Sequence, residues 1–168
     1  MKYIFYTLLS LFILTACKTS KNYLERTDND NTLFDAVKAL KKRSSDTAAV
    51  YALPILYNLA QQRHIRKINS YNDSKDLPRW DKIINEYETL QDMHDAIIDV
   101  DAASAVVTPV NYQKTIYDLK QQAAEDHYAT ATEYLGKSGR DNAKKAYGYF
   151  KKAGKFVIEG DEVKPLLD

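Results

Sequence analysis

The chain has 168 residues, enough for one domain with a real core, and carries 24 Lys plus Arg against 23 Asp plus Glu. So even a balance lacks the basic excess of nucleic-acid or anionic-lipid binders, and five glycines with four prolines argue against a loop-rich sandwich or a Gly-rich dinucleotide site. The composition predicts helices.

At the start, Lys2 leads an apolar run from Ile4 to Thr15, and Leu14-Thr15-Ala16-Cys17 follows with the only cysteine of the chain. Twelve helical residues rise only about 18 Å, short of the roughly 30 Å hydrocarbon core of a bilayer, so the run reads as a signal peptide and not as a span. The pattern resembles the lipobox of bacterial lipoproteins. That resemblance implies removal of residues 1–16, a diacylglyceryl group on the Cys17 thiol and acylation of the new amino terminus. Two or three acyl chains, at about 0.8 kcal/mol per buried methylene, make a stable anchor. Lys18, Thr19 and Ser20 follow, so the aspartate of inner-membrane retention and the acidic cluster of surface export are both missing. The expected location is the outer membrane, facing the periplasm. Lipidation leaves no thiol for a disulfide, so packing alone must hold the fold. Residues 17–31 read as the lipidated cysteine and a flexible polar tether, and residues 32–168 as the domain.

Hydrophobic periodicity then predicts five helices. The first runs from Thr32 to about Arg43 on Leu33, Phe34, Val37 and Leu40. Ser44, Ser45 and Asp46 turn the chain and cap a second helix, which reaches about Tyr71 with Pro54 as a kink or delayed start. The third spans Pro78 to Ile98, with Trp80, Ile83, Ile84, Tyr87, Leu90 and Ile97 on one side. A break from Asp101 to Asn111 holds a short helical piece around Ala102 to Val107. The fourth runs from Tyr112 to about Leu135, with Ile116, Leu119, Ala123, Tyr128, Ala131 and Tyr134 directed inward, and Gly136 to Gly139 ends it. The fifth covers Asp141 to Val157, and Asp161 to Asp168 reads as the start of a sixth. The second and fourth are apolar over wide arcs, as helices covered on more than one side are: Ile55 and Leu59 lie opposite Leu53 and Tyr57.

Ile83, Tyr87 and Leu90 recur as Ala146, Phe150 and Ala153 after 63 residues, and Ala36 with Leu40 forms a partial copy 47 residues before Ile83. The string Ala146-x3-Phe150-x2-Ala153 resembles the second-helix signature of tetratricopeptide repeats, with Tyr128, Ala131, Thr132 and Leu135 near the first-helix positions. The resemblance covers about residues 123–155 well and 32–98 loosely; the displacements are not multiples of 34. It implies an all-α array of stacked antiparallel hairpins. A plain all-α bundle is the alternative, because any packed hairpin selects small and aromatic residues at these intervals.

Candidate site residues are charged. Asp81, Glu88, Asp92, Asp95 and Asp99 share one face of the third helix, and Lys144, Lys151, Lys152 and Lys155 cluster on the fifth. These are candidate charged rims of a partner groove, governing specificity and on-rate; as solvated faces they need no function. His64, His94 and His127 fall on the apolar sides of three helices. Antiparallel packing sets His64 and His94 about 13 Å apart in height, so only His64 and His127 can share a level and a third zinc ligand is missing. Packed, hydrogen-bonded histidines without metal are expected. Thirteen tyrosines stand against five phenylalanines and one tryptophan; Tyr51, Tyr117 and Tyr149 are candidates for a concave docking surface. No serine elbow, Walker loop, dinucleotide fingerprint or cysteine nucleophile is present. The expected function is therefore a membrane-anchored interaction or assembly module with an envelope protein or peptide as partner, without cofactor or catalysis. The alternative is a small periplasmic hydrolase or ligand-binding lipoprotein with a pocket near His64 and His127.

Overall fold

A computed structural model describes residues 22–27 and 30–163, with the side chains of 159–163 left aside. The lipobox with Cys17, residues 18–21 and 28–29 of the expected tether, and residues 164–168 of the expected sixth helix lie outside the described residues. The fold is all-α: α1 Asp30–Lys42, α2 Thr47–Asn72, α3 Arg79–Ile98, a single turn α4 Asp101–Ser104, α5 Gln113–Leu135 and α6 Arg140–Val163. Among the described residues there is no strand.

The boundaries follow local chemistry. Asp46 caps α2, its carboxylate accepting from the Ala49 N–H at 3.2 Å. The Arg43 side chain donates to the same carboxylate at 2.6 Å, and these two bonds hold the Asp46 pKa below its ordinary value. α2 continues through Pro54, 26 residues in all, so the proline does not delay its start. Gly139, at φ 109°, supplies the left-handed residue that turns α5 into α6.

Consecutive long helices pack antiparallel: Tyr71 of α2 meets Lys82 of α3, while His64, further back on α2, meets Glu86. Leu33, Leu40, Leu53, Ile83, Leu90, Met93 and Ile97 form the centre, each below 2% exposed. The loop between α4 and α5 is fastened by side chains. Tyr57 Oη accepts from the Val110 N–H, and Gln91 Oε1 from the Tyr112 N–H, at 2.8 and 2.6 Å. Gln61 also donates to Tyr112 Oη at 2.8 Å. α5 has only α3 and α6 as backbone neighbours among the described residues, and α6 has only α5.

Four expectations are corrected. The segment before α1 is not all tether: Tyr23–Arg26 forms a 3-10 turn, and Tyr23 is buried against α1 and α2. A single aromatic finds a core site there without any periodicity to announce it. Tyr128 points outward at 60% exposure, because Ala123, His127 and Ala131 already occupy the buried side of α5. The outer arc of α2 lacks a second cover, leaving Ile55 and Leu59 more than a third exposed. Finally, α6 continues past Gly160 to Val163, since one glycine costs a helix only about 1 kcal/mol.

Leu90 is wholly buried and Leu135 is 62% exposed. Leu90→Ala should destabilise residues 18–168 by about 2–5 kcal/mol in urea denaturation. Leu135→Ala should stay within about 0.5 kcal/mol of the parent. Equal effects would contradict this core.

Candidate functional site

The charged stripe of α3 is largely engaged inside the molecule. Asp81 pairs with Lys152 at 2.6 Å, Glu88 with the buried Lys120 at 2.9 Å, and Asp99 with Lys41 at 2.6 Å. Asp95 accepts from Gln91 at 2.8 Å and lies 2.9 Å from His94 Nδ1. Among the described residues Asp92 is the one acid of the stripe without a cation beside it. Burial first, then the neighbouring Asp95 and Glu88 charges, raise its pKa. These acids therefore join α3 to α6, α5 and α1, and recruiting them to a partner would require exchanging existing bonds. On α6, Lys144, Lys151 and Lys155 are exposed, whereas Lys152 turns inward to Asp81.

The three histidines occupy three separate environments. His64, 2% exposed, is clamped between Glu86 of α3, through Nδ1, and Asp30 of α1. Its Nε2 lies 3.3 Å from Asp30 Oδ2 without hydrogen-bond geometry. Arg63 pairs with the same Asp30, and Lys67 lies 3.3 Å from Glu86, so one polar knot ties α1, α2 and α3 together. His94 sits two turns beyond, against Gln91 and Asp95. His127 is 1% exposed under α6, with ring centroids 5.6 Å from Phe156 and 5.9 Å from Tyr149. Neither of its ring nitrogens has a hydrogen-bond partner. His64 and His127 share no contact, and among the described residues no trio of His, Cys, Asp or Glu is placed to hold a metal ion.

Two cavities are more informative. The first, about 480 Å³, is an apolar groove between α5 and α6, lined chiefly by Ala124, Tyr128, Phe150, Ala153, Gly154 and Val157. Tyr128 and Phe150 meet edge to face at 5.3 Å in its wall. Small residues let a partner approach closely, and Tyr147 and Ile158, 70% and 63% exposed, extend apolar surface along α6. The second cavity, about 470 Å³, lies beside Tyr23 and is polar, with Asp35, Lys38, Lys42, Arg43 and Asp46 around it. No histidine lines either cavity. Of the three tyrosines expected at a docking surface, Tyr51 is exposed, while Tyr117 is half-buried and Tyr149 stacks on Tyr134 at 5.6 Å. Sequence reasoning missed the groove because it turned Tyr128 inward; the signal available was the 3.6-residue phase shared by Ala124, Tyr128 and Leu135, distinct from that of Ala123, His127 and Ala131.

Comparison with family models, characterised proteins and solved structures returns no significant match. Geometry and sequence alone carry the functional reading.

Two tests follow from the histidines. Glu86→Ala leaves the buried His64 without its carboxylate, and should cost about 1.5–3 kcal/mol in urea denaturation, as hydrogen bonds to charged groups do. At His127, burial and then the Lys152 ammonium lower the pKa, outweighing Asp81 and Asp126. Unfolded imidazole titrates near about 6.5, so as pH falls through that value the unfolded chain takes up the proton first and stability declines until the folded-state pKa is passed. The urea midpoint should drop as pH falls from about 7.5 through about 6.5, and His127→Leu should flatten part of that drop. Parallel pH profiles for the two proteins would refute the assignment.

Proposed function

We propose that the chain is a bacterial lipoprotein anchored through Cys17 to the outer membrane, with a helical domain that serves as a protein interaction or assembly module on the periplasmic side. The observation that carries this reading is the open apolar groove of α5 and α6, with Tyr147 and Ile158 beside it. Isolated exposed hydrophobics are ordinary, but a contiguous apolar strip on a helical hairpin is the surface that helix-in-groove recognition uses.

The repeat reading draws support from burial. Ile83 and Leu90 are buried around a half-buried Tyr87, and Ala146 and Ala153 repeat the pattern around a half-buried Phe150. On α3 the middle ring is met by Tyr112, at the entry to α5, with 5.4 Å between centroids. On α6 no later helix takes that place among the described residues. A tetratricopeptide-like stack read this way has its open edge at the groove, where one more helix, from a partner, would complete it.

A photo-crosslinker at Tyr147 should give discrete adducts with an envelope protein in cells, and the same group at Asn72 should give none. Val157→Glu should abolish those adducts without loss of helicity. Indistinguishable patterns at the two positions would overturn the docking surface. Cys17→Ser should move the protein from the membrane to the soluble fraction; retention would contradict the anchor.

A further inference from the structure

Very little chain separates Cys17 from the folded domain. Asn22 caps the 3-10 turn, accepting from the Leu24 N–H at 3.3 Å and donating to Glu25 at 2.8 Å. Tyr23, 6% exposed, is packed into the core. Only residues 18–21 stand between Cys17 and this fixed point. Five residue steps, fully extended, span at most about 18 Å. A lipid on Cys17 therefore holds the Tyr23 side of the domain close to the headgroups, whatever path the intervening residues take.

The surface at that side has suitable chemistry. Beside Tyr23 lies the polar cleft, in which Arg43 and Asp46 satisfy each other at 2.6 Å. That leaves Lys38 and Lys42, exposed and one helical turn apart on α1, with Asp35 in the turn before them. Two ammonium groups over a cleft suit the phosphates of phospholipids, and the single carboxylate suits the ammonium of a zwitterionic headgroup. The near-neutral charge of the chain could not hold it at a bilayer. It does not need to, because the anchor supplies the attachment and the two lysines need only select the face.

We propose that the face bearing Tyr23, Lys38 and Lys42 is apposed to the bilayer, with both lysines among phospholipid phosphates, and that the α5–α6 hairpin is held away from it. This rests on lipidation at Cys17. The packing order gives the separation: α1 and α2 contact α3, α3 contacts α5, and α5 contacts α6. Three helix-to-helix steps of about 8–10 Å separate α6 from α1, up to about 30 Å where they run in one line away from the anchor. The groove then lies on the hairpin farthest from the anchor in the packing order.

The test uses full-length lipidated protein in vesicles of phosphatidylethanolamine and phosphatidylglycerol that contain a headgroup-labelled quencher lipid. A fluorophore is placed on Ser45→Cys in the α1–α2 turn or on Tyr147→Cys on α6; Cys17, being lipidated, does not compete. Quenching should be several-fold stronger at position 45 than at 147. Reversing both lysines, Lys38→Glu with Lys42→Glu, should reduce quenching at position 45 at least two-fold while the protein still floats with the vesicles. Equal quenching at the two positions, or stronger quenching at 147, would overturn the orientation. Quenching at 45 that is indifferent to the charge reversal would overturn the phosphate contact. A chain shown by mass to carry no lipid on Cys17 would overturn the lipoprotein reading instead, and this orientation with it.

Discussion

The seam between α3 and α5 is the constraint on which the C-terminal half of the molecule depends. Among the described residues α3 is the backbone neighbour through which α5 meets the rest of the core, and α6 packs on α5 and pairs with α3 through Lys152 and Asp81. Apolar packing along the seam is reinforced by polar contacts at both ends. Asp126 accepts from the Trp80 indole at 2.9 Å and from Arg79 at 3.0 Å, and the Arg79 guanidinium lies 4.6 Å above the Trp80 ring. At the other end Gln91 holds the Tyr112 N–H, and between them Glu88 pairs with Lys120. Such contacts fix register more than they add stability, since directional bonds discriminate between alignments that apolar side chains tolerate. Sliding α5 by one turn would part Lys120 from Glu88 and the Tyr112 N–H from Gln91.

That seam also explains what was and was not legible in the sequence. Helix existence and type followed from periodicity, and the turns at Asp46 and at Gly136 to Gly139 from capping chemistry, because both signals are local. Which arc of α5 would be buried is a different matter. Two apolar arcs compete, one through Ala123, His127 and Ala131 and one through Ala124, Tyr128 and Leu135, and the choice is made by contacts with α3 and α6, far away in sequence. Tyr23 was invisible for a related reason, a lone aromatic in a polar segment with a single turn of structure. The five acids of α3 read as a set in the sequence, but the lysine partners of Asp81, Glu88 and Asp99 belong to three other helices, and a one-dimensional pattern does not pair them.

The candidate site was legible in part only. The small and aromatic residues Ala146, Phe150 and Ala153 were singled out by their spacing, and two of them line the groove. The charged rims were assigned to recognition, whereas most of the acids act as joints between helices. The histidines likewise serve the fold: His64 ties three helices, and His127 fills space beneath α6. Most of these polar residues join helices, and the α5–α6 groove is apolar.

That α5 is the one backbone neighbour of α6 among the described residues has a consequence for how the molecule comes apart. Detachment of the α5–α6 hairpin breaks the seam with α3 and the Lys152–Asp81 pair but leaves the contacts among α1, α2 and α3 in place, whereas loss of α3 removes the support of everything after it. Opening is thus hierarchical, with the α5–α6 hairpin as the less protected cooperative unit and the central layer as the more protected one. Backbone amides of α6 will exchange through a partial opening that amides of α3 do not share.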